Sequence, residues 1–167
     1  MFWRAKSGSV GIDDTDMDYI SFGKGNDILI ILPGLGDGLT TVKGMAIPMA
    51  MTYRLYAKDY KVYVFSRKNH LNEGYSTKDM AKDQATAMKI LGITKAKVLG
   101  VSQGGMIAQY LAIDYPDLVD KLVLTVTLSK QNSGVQAVIT NMIKLAEQGN
   151  HKGLMIDTAE KSYSENY

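Results

Sequence analysis

The sequence predicts an α/β fold, a mostly parallel sheet with helices on both faces, entered through an N-terminal β-hairpin. Three observations carry this reading. Apolar runs such as Asp27–Leu32 and Lys121–Thr127 are continuous rather than alternating, as in strands covered on both sides. Stretches of helical character separate these runs, so successive strands are joined by crossovers rather than tight turns. Glycine, proline and short polar clusters mark the junctions.

Taken in order, residues 9–22 read as the hairpin. Asp13-Asp14-Thr15-Asp16 is its turn, because such side chains bond their own backbone. Gly23-Lys24-Gly25-Asn26 breaks the chain before the buried strand Asp27–Leu32. A glycine-rich loop follows, Pro33-Gly34-Leu35-Gly36-Asp37-Gly38, then a helix over Gly44–Lys58. Lys61–Phe65 is the next strand and Ser66–Ser76 a polar loop. Thr77 stands where a cap belongs, ahead of a helix to about Leu91 with Met80, Gln84, Ala87 and Leu91 along one face. Gly92 ends that helix, and Ala96–Val101 is again a strand. The helix that begins near Met106 stops around Asp114-Tyr115-Pro116, since proline restricts the residue before it. Lys121–Thr127 is the last strand, and Gly134–Gln148 and Gly153–Lys161 read as helices. No repeat or linker interrupts the chain, so a single domain over residues 1–167 is expected.

Composition narrows the function. With 19 basic and 17 acidic residues the formal charge is +2, and the basic residues are scattered, which argues against nucleic-acid binding. The chain has no cysteine, excluding a disulfide scaffold and a thiolate metal site. Its start does not resemble a signal peptide, and no apolar run approaches the ~20 residues of a membrane span. A cytoplasmic protein is the expectation. Ten methionines read as soft core filler, with Met45, Met49 and Met51 the best candidates for an adaptable pocket wall.

The chemistry lies in Gly100-Val101-Ser102-Gln103-Gly104-Gly105, which follows a strand and precedes a helix. A serine on so sharp a turn needs small neighbours, because side chains there would meet the adjoining strand and helix. The helix beginning after Ser102 aims N–H groups at any oxyanion formed there. Gly34-Leu35-Gly36 ends a neighbouring strand at the same sheet edge and can bring a second N–H beside that of Gln103.

On these residues the chain resembles the α/β-hydrolase superfamily, especially its single-domain, cap-bearing esterase and peptidase-like members. The likeness runs from the hairpin to the strand at 121–127. It implies Ser102 as nucleophile, the amides of Leu35 and Gln103 as oxyanion donors, and a small ester, thioester or amide substrate. It implies no metal or organic cofactor. Pro33-Gly34 stands where the family commonly has His-Gly, which keeps the backbone donor and removes an imidazole. The family's acid and histidine follow later strands. Residues 1–167 therefore look like an N-terminal portion, with 128–167 resembling the start of the cap and the acid and histidine expected beyond residue 167. So divided, the chain would leave the strand at 121–127 as an open apolar edge and would be weak or silent alone.

Other groups carry less. His70, after the Lys61–Phe65 strand, is a candidate for substrate contact and a weaker one for the base, whereas His151 reads as a surface residue. Asp37 fixes the turn of its loop through its own backbone. Two isolated histidines do not make a metal site. Gly34-x-Gly36-x-Gly38 lacks the dinucleotide spacing G-x-G-x-x-G. The alternative from another class is a non-catalytic α/β-hydrolase-like module that binds a small ligand in the same pocket.

Overall fold

The apolar runs pair into one six-stranded sheet in the computed structural model, which describes residues 3–35 and 41–162. The strands are β1 (Lys6–Ile12), β2 (Thr15–Phe22), β3 (Asp27–Leu32), β4 (Tyr60–Lys68), β5 (Ala96–Val101) and β6 (Val119–Thr125). The helices are α1 (Ala46–Thr52), α2 (Thr77–Ile90), α3 (Gln103–Asp114), α4 (Ser133–Glu147) and α5 (His151–Ser162). Across the sheet the order is β1-β2-β4-β3-β5-β6. The hairpin and its pairing with β4 are antiparallel; β4, β3, β5 and β6 run parallel. The fold class expected from the sequence is the one observed.

The chain falls into two compact units, residues 1–129 and 130–167. In the first, the pleat sends alternate residues of each central strand to opposite cores. Leu29, Ile31, Val62 and Val64 meet Ala46 and Ala50 of α1 on one face. Ile30, Leu32, Phe65 and Val98 meet Met80, Ala81 and Met88 of α2 and Ile107, Ala108 and Leu111 of α3 on the other. This two-sided cover is why those strands read as unbroken apolar runs. At the far edge of the sheet lies β6, where Val123 and Leu124 are exposed. In the second unit, Asn132 caps α4 by accepting from the Val135 amide at 2.9 Å. Asn141 of α4 donates to Asp157 of α5 at 3.0 Å, and no residue of either helix is buried.

Several boundaries differ from the expectation, each for a local reason. The hairpin turn is only Asp13-Asp14, since Thr15 already pairs with Ile12 and Asp13 takes φ +54°. The helix expected over 44–58 is only α1, followed by a separate short turn at Tyr56–Lys58 that buries Ala57. Met45 and Met51 stay half-exposed, while Met49 packs against the α1-side core. β4 continues through Ser66-Arg67-Lys68, whose polar character hid it, because β2 pairs with it as far as Lys68. β6 ends at Thr125 because Val126 takes a left-handed φ of +44°.

Ser76, not Thr77, caps α2. Its hydroxyl accepts from the Asp79 amide at 3.1 Å, and the Asp79 carboxylate accepts in return from the Ser76 amide at 3.0 Å. Gly92, at φ +70°, closes the other end: its N–H bonds the Lys89 carbonyl and that of Ile93 bonds Met88. Ser76→Ala is expected to lower the melting temperature by about 3 °C at pH 7. The Ser76 hydroxyl and amide hold the Asp79 carboxyl below the usual carboxylate range. A depressed carboxylate stabilises the fold above its unfolded value and loses that effect as pH falls through its folded one. The gap between wild type and Ser76→Ala should therefore narrow below about pH 4 in thermal melts.

The strand order also locates the site. From β3 the chain passes to β4 on one side, and α2 then carries it back across to β5 on the other. Loops at the C-terminal ends of β3 and β5 consequently part toward opposite faces, the place where open α/β sheets form a crevice.

Candidate active site

Two loops meet at that crevice. The first is the turn from β5 into α3. Ser102 stands alone between strand and helix, exposed, with φ 52° and ψ −121°. For a residue with a Cβ this conformation costs on the order of 1–3 kcal/mol. The turn survives because its surroundings hold it. The Ser102 amide donates to the Thr125 carbonyl at 3.0 Å, and the Thr127 hydroxyl donates to the Ser102 carbonyl at 2.7 Å. That carbonyl also accepts the Gly105 amide at 2.9 Å, the first turn of α3. The Ser102 hydroxyl makes no capping hydrogen bond to the helix.

The glycines around Ser102 are there for space. A Cβ on Gly104 would fall 2.0 Å from the Leu32 carbonyl oxygen, and one on Gly100 would fall 2.7 Å from the Ala108 Cβ and the Gly105 Cα. A Cβ on Gly105 would strike the Thr127 side chain at 2.6 Å. The absence of side chains at Gly100 and Gly104 lets α3 lie directly against the ends of β5 and β3, and Gly105 leaves room for Thr127.

The second loop leaves β3 at Pro33. Its Gly34 sits so close to the elbow that a Cβ there would lie 3.3 Å from the Ser102 Cβ and 3.8 Å from its Oγ. Leu35 follows and is 46% exposed. Gly36, Asp37 and Gly38 lie outside the described residues. On the other side of Ser102, Gln103 and Gly104 open α3, so their N–H groups have no partner within the helix.

Arg67, near the end of β4, went unnoticed in the sequence. Its Nη2 donates to the Pro33 carbonyl at 2.7 Å and to the Gln103 side-chain oxygen at 3.2 Å, and the residue is only 4% exposed. Thr127 was missed as well. The available signal was a lone arginine continuing a buried apolar run at the same sheet edge as the serine.

Next to Arg67, Lys68 ties the end of β4 to its surroundings. Its ammonium lies 3.2 Å from Asp13, 3.8 Å from Asp83 and 4.9 Å from the centre of the Tyr75 ring. Tyr75 in turn donates to both Asp83 oxygens, at 3.0 and 2.8 Å. The Tyr75 hydroxyl, then Asp13 and Asp83, hold the Lys68 ammonium above its ordinary value, while burial pushes the Asp83 carboxyl up. These contacts anchor both ends of the 69–76 loop. His70 is exposed within it, just beyond β4, and His151 is exposed at the start of α5. Among the described residues no imidazole hydrogen-bonds the Ser102 hydroxyl, and no group of three or more histidine, aspartate or glutamate side chains is placed to hold a metal ion. No helix among them is long and apolar enough to cross a membrane.

Comparison with known proteins agrees with this geometry. Mouse serine hydrolase BPHL is 27% identical over 149 residues, covering 85% of this chain and 51% of its own. An α/β-hydrolase enzyme from a Medee basin deep-sea metagenome superposes with a TM-score of 0.83 at 18% identity, over 95% of this chain and 58% of that one. The epoxide hydrolase CorEH superposes with a TM-score of 0.67 at 21% identity, over 90% and 54%. The chain spans about half or less of the length of the curated relatives it matches. The family described as alpha/beta hydrolase fold matches residues 27–149, from the start of β3 through α4. The match covers most of the chain, and the chain belongs to the α/β-hydrolase family.

Proposed function

We propose that this chain carries the nucleophile and oxyanion hole of a serine hydrolase acting on a small ester, thioester or amide. The observation that carries the proposal is the exposed Ser102 held at positive φ on the strand-to-helix turn, with Gly34 packed against it. Strain of this kind persists where surrounding contacts over-determine it, and here it lifts the hydroxyl out of the cap position a serine usually fills. Ser102 Oγ forms a bond to the substrate carbonyl carbon while its proton passes to a histidine. The amides of Leu35 and Gln103 receive the resulting oxyanion. The tetrahedral intermediate collapses, the leaving group departs with the proton, and water releases the acyl group by the same route.

The histidine and its acid partner belong to sequence beyond residue 167 on this reading, in keeping with the greater length of the relatives. His70, exposed at the same sheet edge, is assigned to substrate contact. On this reading the reaction needs no metal or organic cofactor, the partner is a small-molecule substrate, and the protein works in the cytoplasm.

The test is p-nitrophenyl ester hydrolysis by two proteins, the 167-residue chain and the product of its full reading frame. The short chain should be weak or silent, because without a base the hydroxyl keeps its poorly nucleophilic character. The full product should turn over. Full activity in the short chain, lost in His70→Ala, would move the base to His70. A full-length sequence with no acid and histidine after later strands, and no turnover, would favour the ligand-binding module instead.

A further inference from the structure

Ser66 and Arg67, adjacent on β4, grip both flanks of the glycine loop that borders Ser102. Pleating sends neighbouring side chains to opposite faces of a strand, and these two take different partners accordingly. Arg67 Nη2 reaches the Pro33 carbonyl at 2.7 Å, before the loop, and the Gln103 side chain at 3.2 Å, at the start of α3. Ser66 Oγ accepts the amide of buried Val42, after the loop, at 2.9 Å. Beside Val42, Thr41 donates to the buried Asp18 carboxylate at 2.5 Å, and the Lys43 amide bonds the Thr41 hydroxyl at 3.1 Å.

We infer that Ser66 and Arg67 are positioning residues that set the Leu35 amide relative to that of Gln103. The inference rests on the serine-hydrolase reading above. A buried guanidinium is costly to desolvate, and its hydrogen bonds to Pro33 and Gln103 offset part of that cost. Here one nitrogen couples the two segments that must supply the two oxyanion donors. The planar guanidinium fixes the directions of the two Nη2 hydrogens that serve these acceptors, whereas a lysine ammonium rotates freely. Ser66 acts from the other flank by satisfying a buried amide that would otherwise lack a partner. Neither side chain needs to touch substrate. Their effect is geometric, and a displacement of about 1 Å in such a site costs on the order of 10²-fold in rate.

The experiment compares Arg67→Met, Arg67→Lys, Ser66→Ala and Ser102→Ala in the product of the full reading frame. It reads p-nitrophenyl ester kinetics and hydrogen exchange at the amides of Gly34, Leu35, Val42 and Lys43. Arg67→Met should lower kcat by about 10²-fold with little change in KM. Arg67→Lys should recover part of the loss, and Ser66→Ala should fall between. Exchange at Gly34 and Leu35 should rise in Arg67→Met, and at Val42 in Ser66→Ala. Wild-type kcat and exchange in Arg67→Met and Ser66→Ala would overturn the inference while leaving Ser102 as nucleophile. Should Arg67→Met fail to fold, Ser66→Ala decides alone, since it removes a single oxygen atom. Equal rates in wild type and Ser102→Ala would reject the serine reading itself, and the positioning role with it.

Discussion

Ser102→Ala is expected to lower kcat for ester hydrolysis by about 10⁶-fold, the loss seen when a serine protease gives up its nucleophile. The protein should otherwise change little. Ser102 is exposed and its hydroxyl caps no helix, so deletion of the oxygen creates no cavity and orphans no partner. Alanine keeps the Cβ and meets the same strain at φ 52°. Stability should stay within about 0.5 kcal/mol of wild type, and substrate binding should persist, because the backbone donors remain. Steady-state kinetics with p-nitrophenyl esters, together with thermal melts, separate these effects.

Gly104→Ala should have a large effect on stability. Its added Cβ would lie 2.0 Å from the Leu32 carbonyl oxygen and 2.5 Å from that of Pro33, both backbone atoms that no rotamer change can move. Strand β3 and helix α3 must separate, at an expected cost of about 3 kcal/mol or more. Gly92→Ala is the comparison. That glycine has φ +70° and nothing within 4 Å of an added Cβ, so only the left-handed backbone is penalised, by about 1–2 kcal/mol. Chemical denaturation of both variants should rank Gly104→Ala as clearly worse. Gly104→Ala should also lose activity beyond its loss of stability, because the displaced Leu32–Pro33 segment leads into the loop beside Ser102.

Much of this was legible in the sequence because it rests on local rules. Continuous apolar runs marked β3, β5 and β6 to within two residues; for β3, in the sheet interior, both faces demand apolar side chains, whereas β6 keeps its apolar run at the sheet edge. The elbow was legible because its steric requirement is written in glycines within three positions of Ser102. What escaped depended on distant partners. Ser66, Arg67 and Lys68 look like loop residues until Val42, Pro33, Asp13 and Asp83 are brought to them by the fold. The choice of Ser76 over Thr77 as cap turned on the Asp79 three residues later, a pairing present in the sequence and passed over.

The most direct test of Ser102 as nucleophile is covalent capture. A fluorophosphonate ester forms a stable bond to an activated serine oxygen and mimics the charge distribution of a tetrahedral intermediate of acyl transfer. The full-length protein should be labelled once, with the adduct mapping by mass spectrometry to Ser102. Labelling should vanish in Ser102→Ala and slow in Arg67→Met. Ester hydrolysis that persists while Ser102 stays unlabelled, or a label carried on another residue, would contradict the account.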